Sequence, residues 1–214
     1  MRSNTVYLIR HAQPDNPKGI FYGRQFDLPL SELGKEQALA LALQFNQMNI
    51  HPDIILTSPA HRTQQTAAIL GNVLGEVEIV VDHDLDEVWS KGLEGKPIDF
   101  LAKLSWDPYN YQGPLGYSYD IESPIDIVER MVRAVEHVRK MGKSPFIVGH
   151  GDPLAFYFWH VLTGGRDLPS IQKLETDRLY LRKAWAWRIR FVGSRGVEYE
   201  SISQEKRLRG RESE

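Results

Sequence analysis

Two hydrophobic periods alternate along this chain, and that alternation restricts the folds open to it more than any other feature. Short continuous apolar runs of β type occur at Val6-Tyr7-Leu8-Ile9, Ile54-Ile55-Leu56, Val77 to Val81 and Pro145-Phe146-Ile147-Val148. Such runs read as strands buried on both faces. Segments of helical spacing lie between them. Ser31 is placed to cap a helix reaching about Met48, with Leu33, Ala38, Leu41, Ala42 and Phe45 on its apolar side. Thr63 to about Leu74 reads as a second helix, stopped near Gly75. Ser123-Pro124 combines a cap with Pro at the first helical position, and the stripe Ile127, Val128, Met131, Val132, Val135, Val138 follows. Pro153 to about Leu162 is a helix apolar nearly all round. Trp185, Trp187, Ile189 and Phe191 then alternate with Ala184, Ala186, Arg188 and Arg190, a strand of period two whose return partner is Val197 to Ile202. Strands alternating with helices predict an α/β fold: a three-layer sandwich with a mostly parallel central sheet, helices on both faces and a C-terminal antiparallel hairpin.

The 214 residues suit one domain over 1–203 with a polar tail at 204–214. One stretch, about 100–122, breaks the pattern. It carries Trp106, Tyr109, Tyr111, Tyr117 and Tyr119 among prolines and glycines without a clean period. It reads as a cap-like insertion whose rings pack on the organic half of a ligand, or else fill the cap's own core or a dimer contact. The chain has no Cys, which excludes disulfides, thiolate metal sites and a thiol nucleophile. No stretch approaches the roughly 18 apolar residues of a membrane span, and the N-terminus lacks the apolar region of a secretory signal. A cytoplasmic protein with no membrane partner is expected. Net charge is −2, but residues 178–214 hold 10 Lys+Arg against 5 Asp+Glu. No basic run of nucleic-acid type appears, so this excess reads as a solvated strand face with a polar tail, without a nucleic-acid partner. A homodimer is left open.

The chemistry collects at strand ends. The first strand ends in Ile9-Arg10-His11, the second runs into Ser58-Pro59-Ala60-His61-Arg62, and the fourth into Val148-Gly149-His150-Gly151-Asp152. In an open α/β sheet ligands sit beyond the carboxyl ends of parallel strands, so Arg10, His11, Arg62 and His150 converge on one basic pocket suited to an anion. Arg forks match phosphate oxygens, and His can act as nucleophile, acid or donor. A metal is the alternative use of two His. Two nearby Arg oppose it, and no metal or other cofactor is expected.

The segment Leu8-Ile9-Arg10-His11-Ala12-Gln13 resembles the Arg-His-Gly signature of the histidine phosphatase superfamily, which includes phosphoglycerate mutases and acid phosphatases. Further blocks are similar in family order: Tyr22-Gly23-Arg24 through Leu33-Gly34, Ser58 to Ala67, Leu85-Asp86-Glu87 with Glu94-Gly95, Glu122-Ser123 with Arg130, and Val148-Gly149-His150-Gly151. The resemblance implies that His11 is a nucleophile forming phosphohistidine, with its other ring nitrogen held by a backbone carbonyl. It implies that Arg10, Arg62 and His150 surround the transferring phosphoryl group, and that Glu87 is the proton donor. Arg24, Gln13 and Gly151 join the candidate substrate contacts. Two departures stand out: Ala12 replaces the usual Gly, and Gln13 replaces the usual acid, which adds weight to Glu87. Asp152 reads first as the cap of the helix beginning at Pro153, with orienting His150 or binding a substrate hydroxyl as the alternatives. The 100–122 segment has Lys103 as its one cation, whereas mutases of the family carry extra basic residues there. That favours a metal-independent phosphomonoesterase for a small phosphorylated metabolite, resembling the α-ribazole phosphatase type. A phosphoglycerate mutase-type transferase and a non-catalytic phosphate-binding module are the alternatives.

Overall fold

The computed structural model describes residues 4–25, 27–104, 108–109, 119–165, 168–193 and 196–203. Six strands form one sheet: β1 (Thr5–Arg10), β2 (Ile54–Thr57), β3 (Ile79–Val81), β4 (Pro145–Gly149), β5 (Ala186–Val192) and β6 (Gly196–Ile202). Their order is β3-β2-β4-β1-β5-β6. The first four run parallel, while β5 and β6 are antiparallel additions. The central strands are covered on both faces, which is why they read as continuous apolar runs rather than alternating ones. Tyr7, Ile9, Ile55, Phe146 and Val148 point into one core with Leu41, Phe45 and Leu70. Val6, Leu8, Leu56, Ile147 and Ile189 point into the other, with Ile127, Met131, Val135, Phe156 and Phe158. The three-layer α/β sandwich expected from the two periods is the fold.

The helices follow their caps. Helix α1 (Glu32–Gln47) starts where the Ser31 side chain accepts from Gly34 N, and α3 (Pro124–Lys140) where Ser123 accepts from Asp126 N. Helix α2 (His61–Leu74) begins two residues before the expected Thr63 and ends on left-handed Gly75. Helix α4 spans Gly151–Thr163, and a short α5 (Ile171–Thr176), without a sequence forecast, follows it.

Several expectations need correction. Leu33 is 51% exposed, because Gly34 takes the inward position and its α-carbon packs against the Gln13 carbonyl, leaving no room for a side chain. The third strand pairs only from Ile79, and all three of its residues are exposed at the sheet edge. Asp152 does not cap α4. The helix starts earlier, with His150 at the cap position and Leu154 N bonded to His150 O at 3.2 Å, so Asp152 falls inside the first turn. Within 100–122, Trp106, Tyr111 and Tyr117 lie outside the described residues, as does the tail at 204–214. Tyr119 packs edge-on to Phe100, and Tyr109 edge-on to Phe156. The basic face of β5 meets an acidic β6: Arg188 pairs with Glu200, and Arg190 with Glu198 at 3.5 Å. No helix among the described residues is long and apolar enough to cross a membrane.

Candidate active site

Parallel strands β1, β2 and β4 end at one edge of the sheet, and each hands a basic residue to the same place. Arg10 closes β1 opposite Gly149 of β4, and His11 N donates to Gly149 O at 3.0 Å. Arg62 stands in the first turn of α2 and His150 at the start of α4. All three side chains at the centre are buried: His11 is 1%, Arg62 1% and His150 0% exposed. The His11 and His150 rings meet at 5.4 Å between centroids.

The His11 ring is oriented by its own turn. Nδ1 lies 2.7 Å from the Ala12 carbonyl oxygen, which can only accept, so the proton of the neutral ring sits on Nδ1 and Nε2 keeps its lone pair. Burial, His150, Arg62 and Arg10 all hold its pKa well below the ordinary 6.5. The imidazole is therefore neutral at physiological pH. Ala12, in place of Gly, fits because its backbone keeps negative φ and its methyl group is fully buried.

Glu87 closes the cluster from the loop after β3. Its Oε1 accepts from Val88 N at 3.0 Å, and its Oε2 lies 3.3 Å from His150 Nδ1 and 3.8 Å from Arg62 Nη2. Burial alone would raise its pKa, but His150 and Arg62 outweigh burial and hold the carboxyl far below the usual carboxylate range. Burial lowers the His150 pKa, and Glu87 opposes this without reversing it. His150 Nε2 meets Ser58 Oγ at 2.8 Å. Two guanidinium donors, Arg10 Nε and Arg62 Nε, are buried without a hydrogen-bond partner among the described residues. Each costs about 1–3 kcal/mol unless an anion accepts from it. His11, Glu87 and His150 could each bring a ligand atom within 4.8 Å of the others, a metal-like spacing. The desolvated guanidiniums beside them repel a cation and favour an oxyanion instead.

A second network braces Glu87 from behind. Arg130, 6% exposed, donates to the carbonyls of Asp84 and Asp86 at 2.9 and 2.7 Å and to Glu122 at 2.7 Å. Arg24, a candidate substrate contact, joins this network: it donates to Glu122 Oε2 at 3.0 Å and to the Glu87 carbonyl. It faces the support of Glu87 rather than the cavity.

That cavity measures about 420 Å³ and opens on the cluster through Arg10 and Glu87. Two candidate substrate contacts, Gln13 and Gly151, line it, and a Cβ at Gly151 would collide with the Tyr180 hydroxyl. Ile20, Phe21, Val88, Leu93, Ile98, Ile121 and Ile171 form an apolar wall. Asn16 spends its side chain on the Ile20 backbone. Asp152 also faces the cavity, accepting from Tyr109 Oη and Tyr180 Oη at 2.5 Å each. Burial, then Glu87, raises its pKa.

Sequence reasoning missed Tyr180, Lys183 and the stacking of Tyr22, whose ring lies under Arg62 at 4.7 Å. A signal existed for the first two. A strand antiparallel to β1 must start beside the carboxyl end of β1, so residues just before β5 belong at the site. Arg10 Nη1 donates to Leu181 O at 2.8 Å, and Ala184 N to Arg10 O at 3.1 Å.

An α/β sheet that gathers two Arg, two His and a Glu beyond its parallel strand ends defines a phosphoryl-handling protein. Residues 6–183 match the histidine phosphatase superfamily (branch 1), and the chain belongs to that family of enzymes. It is 34% identical over 154 residues to "Putative phosphoserine phosphatase 2" of Hydrogenobacter thermophilus, covering 70% of this chain and 74% of that protein. It is 33% identical to "Probable phosphoglycerate mutase GpmB" of Photorhabdus laumondii, covering 68% and 69%. In fold it resembles a mycobacterial glucosyl-3-phosphoglycerate phosphatase bound to VO3, with TM-score 0.72, 22% identity and 93% and 97% coverage. It also resembles the α-ribazole phosphatase of Shigella flexneri, with TM-score 0.70, 17% identity and 93% and 96% coverage.

Proposed function

We propose that this protein is a metal-independent phosphomonoesterase that works through a phosphohistidine at His11 on a small phosphorylated metabolite. The observation that carries this reading is the held tautomer of a neutral, buried His11 among three cationic or donor side chains. His11 Nε2 attacks phosphorus, the bond to the leaving oxygen breaks, and Arg10, Arg62 and His150 take the charge of the equatorial oxygens. The two unpartnered Nε–H donors acquire acceptors in that step.

Glu87 supplies the proton to the leaving oxygen. In the free protein its carboxylate is held ionised by His150 and Arg62. A phosphate dianion competes for the same two groups, which withdraws that stabilisation and raises the Glu87 pKa when substrate arrives. Glu87 then returns the service as base for water attacking the phosphohistidine.

The test is turnover of p-nitrophenyl phosphate in EDTA by wild type and by His11→Ala, from about pH 5 to pH 8. Activity that persists in EDTA in the wild type and is absent in the variant supports the proposal. Activity that requires an added metal, or that survives His11→Ala, defeats it.

A further inference from the structure

The phosphoryl site leaves one cation of the cavity unused. Lys183 stands just before β5, lines the cavity, and is half-buried. Its Nζ donates to Gln13 Oε1 at 2.8 Å, and no carboxylate pairs with it among the described residues. Three other lysines are each paired with an acid: Lys35 with Glu32, Lys143 with Glu78, Lys173 with Asp177. Lys183 instead faces a neutral amide where an acid would neutralise it, with the Arg10 and Arg62 charges nearby. A half-desolvated ammonium beside two guanidiniums is unfavourable in the free protein. Partial burial, then those arginines, lower its pKa to about 8.

We infer that Lys183, oriented by Gln13, is a specificity-determining residue that binds a second anionic group, a carboxylate or a further phosphate, on the organic part of the substrate. The inference rests on the phosphatase reading above. The two anion sites differ in what holds their cations. Arg10 and Arg62 each keep an Nε donor without a partner among the described residues, while the Lys183 ammonium is held on the Gln13 side chain. The substrate class is then a phosphomonoester bearing one more anion, rather than a neutral alcohol or sugar ester. The insertion at 100–122, poor in cations, does not have to supply that charge.

The experiment compares 3-phosphoglycerate and fructose 1,6-bisphosphate with glycerol 2-phosphate and p-nitrophenyl phosphate, in wild type, Lys183→Met and Gln13→Glu, at pH 7. A charge-assisted contact of this kind is worth roughly a 10- to 100-fold change in kcat/KM. In Lys183→Met that loss is expected, mainly through KM, for whichever of the carboxylate and second-phosphate esters the wild type prefers, with the neutral-tailed esters changing less than about 3-fold. Gln13→Glu keeps the lysine but neutralises it, so it should lower the same ratio between anionic and neutral esters. An equal loss across all esters would place Lys183 on the phosphoryl group and overturn the inference, as would no loss for any. A wild type that turns over no ester defeats the phosphatase reading instead. Calorimetric binding of the four esters to wild type and Lys183→Met then decides the Lys183 assignment by itself.

Discussion

The two sides of the cavity are built on different principles. The phosphoryl side stands on the ends of β1, β2 and β4, the most buried part of the sheet, and its side chains hold one another: His11 on a carbonyl, His150 on Ser58, Glu87 on His150. The opposite side is made from loops joined by isolated bridges, Ile20 to Pro97 and Ser90 to Ile121, and is mostly apolar. Its polar groups, Lys183 with Gln13 and Asp152 with two tyrosines, share no hydrogen bond among the described residues. A rigid sheet edge fixes reacting atoms to within tenths of an ångström, whereas loop-borne walls can change without disturbing them. Under the proposed function, chemistry belongs to the sheet edge and selectivity to the loops.

The sharpest way to break this division is at His11. His11→Ala should remove turnover by more than about 1,000-fold for every ester, because the proposed reaction forms its covalent bond at His11 whatever the leaving group. Substrate-dependent loss would show that the loops take part in the chemistry. Glu87→Gln comes next, and its effect should depend on the leaving group. An alkyl phosphate should lose roughly 100- to 10,000-fold in kcat, and p-nitrophenyl phosphate, whose phenolate leaves without a proton, far less. Equal losses would make Glu87 an electrostatic element and not an acid.

On the loop side, Tyr109→Phe strips one donor from the Asp152 carboxylate. A cost of about 1–3 kcal/mol is expected, read as a fall of several degrees in Tm, with p-nitrophenyl phosphate turnover within about 3-fold of wild type. A large loss of turnover at unchanged Tm would move Asp152 to the catalytic side. The smallest effect concerns acid stability. His11 binds a proton more weakly folded than unfolded, so its contribution is present above its ordinary pKa of 6.5 and is lost as pH falls below it. Thermal unfolding should show Tm falling below about pH 6.5, with a shallower slope in His11→Ala; identical slopes would mean His11 is not desolvated as described.

The same division explains what could be read without coordinates. Arg10, His11, Arg62 and His150 directly follow apolar runs, and the rule that ligands gather beyond parallel strand ends places them together. Asp152 was legible as an acid before Pro but not in its role. Its two tyrosine partners are 43 and 28 residues away, a relation that no local pattern encodes. Lys183 and Tyr180 sit in an aperiodic stretch, and only the antiparallel pairing of β5 with β1 reveals where they land. Arg24 was legible as a cation near the site. Its direction depended on Glu122, far along the chain, which draws it behind Glu87.

The register of β1 against β4 and β5 has a consequence for how the protein comes into being. Arg10 needs Gly149 on one side and the Leu181 and Trp185 carbonyls on the other. His11 is thus synthesised well before the groups that complete its surroundings. At about 5–20 residues per second, His11 waits on the order of ten seconds for His150 to emerge, with more to follow. Closing β1 between two strands so distant in the chain is slow, high-contact-order work. Recovered turnover in a refolding experiment would therefore time the final strand insertion, not the earlier collapse of the helices.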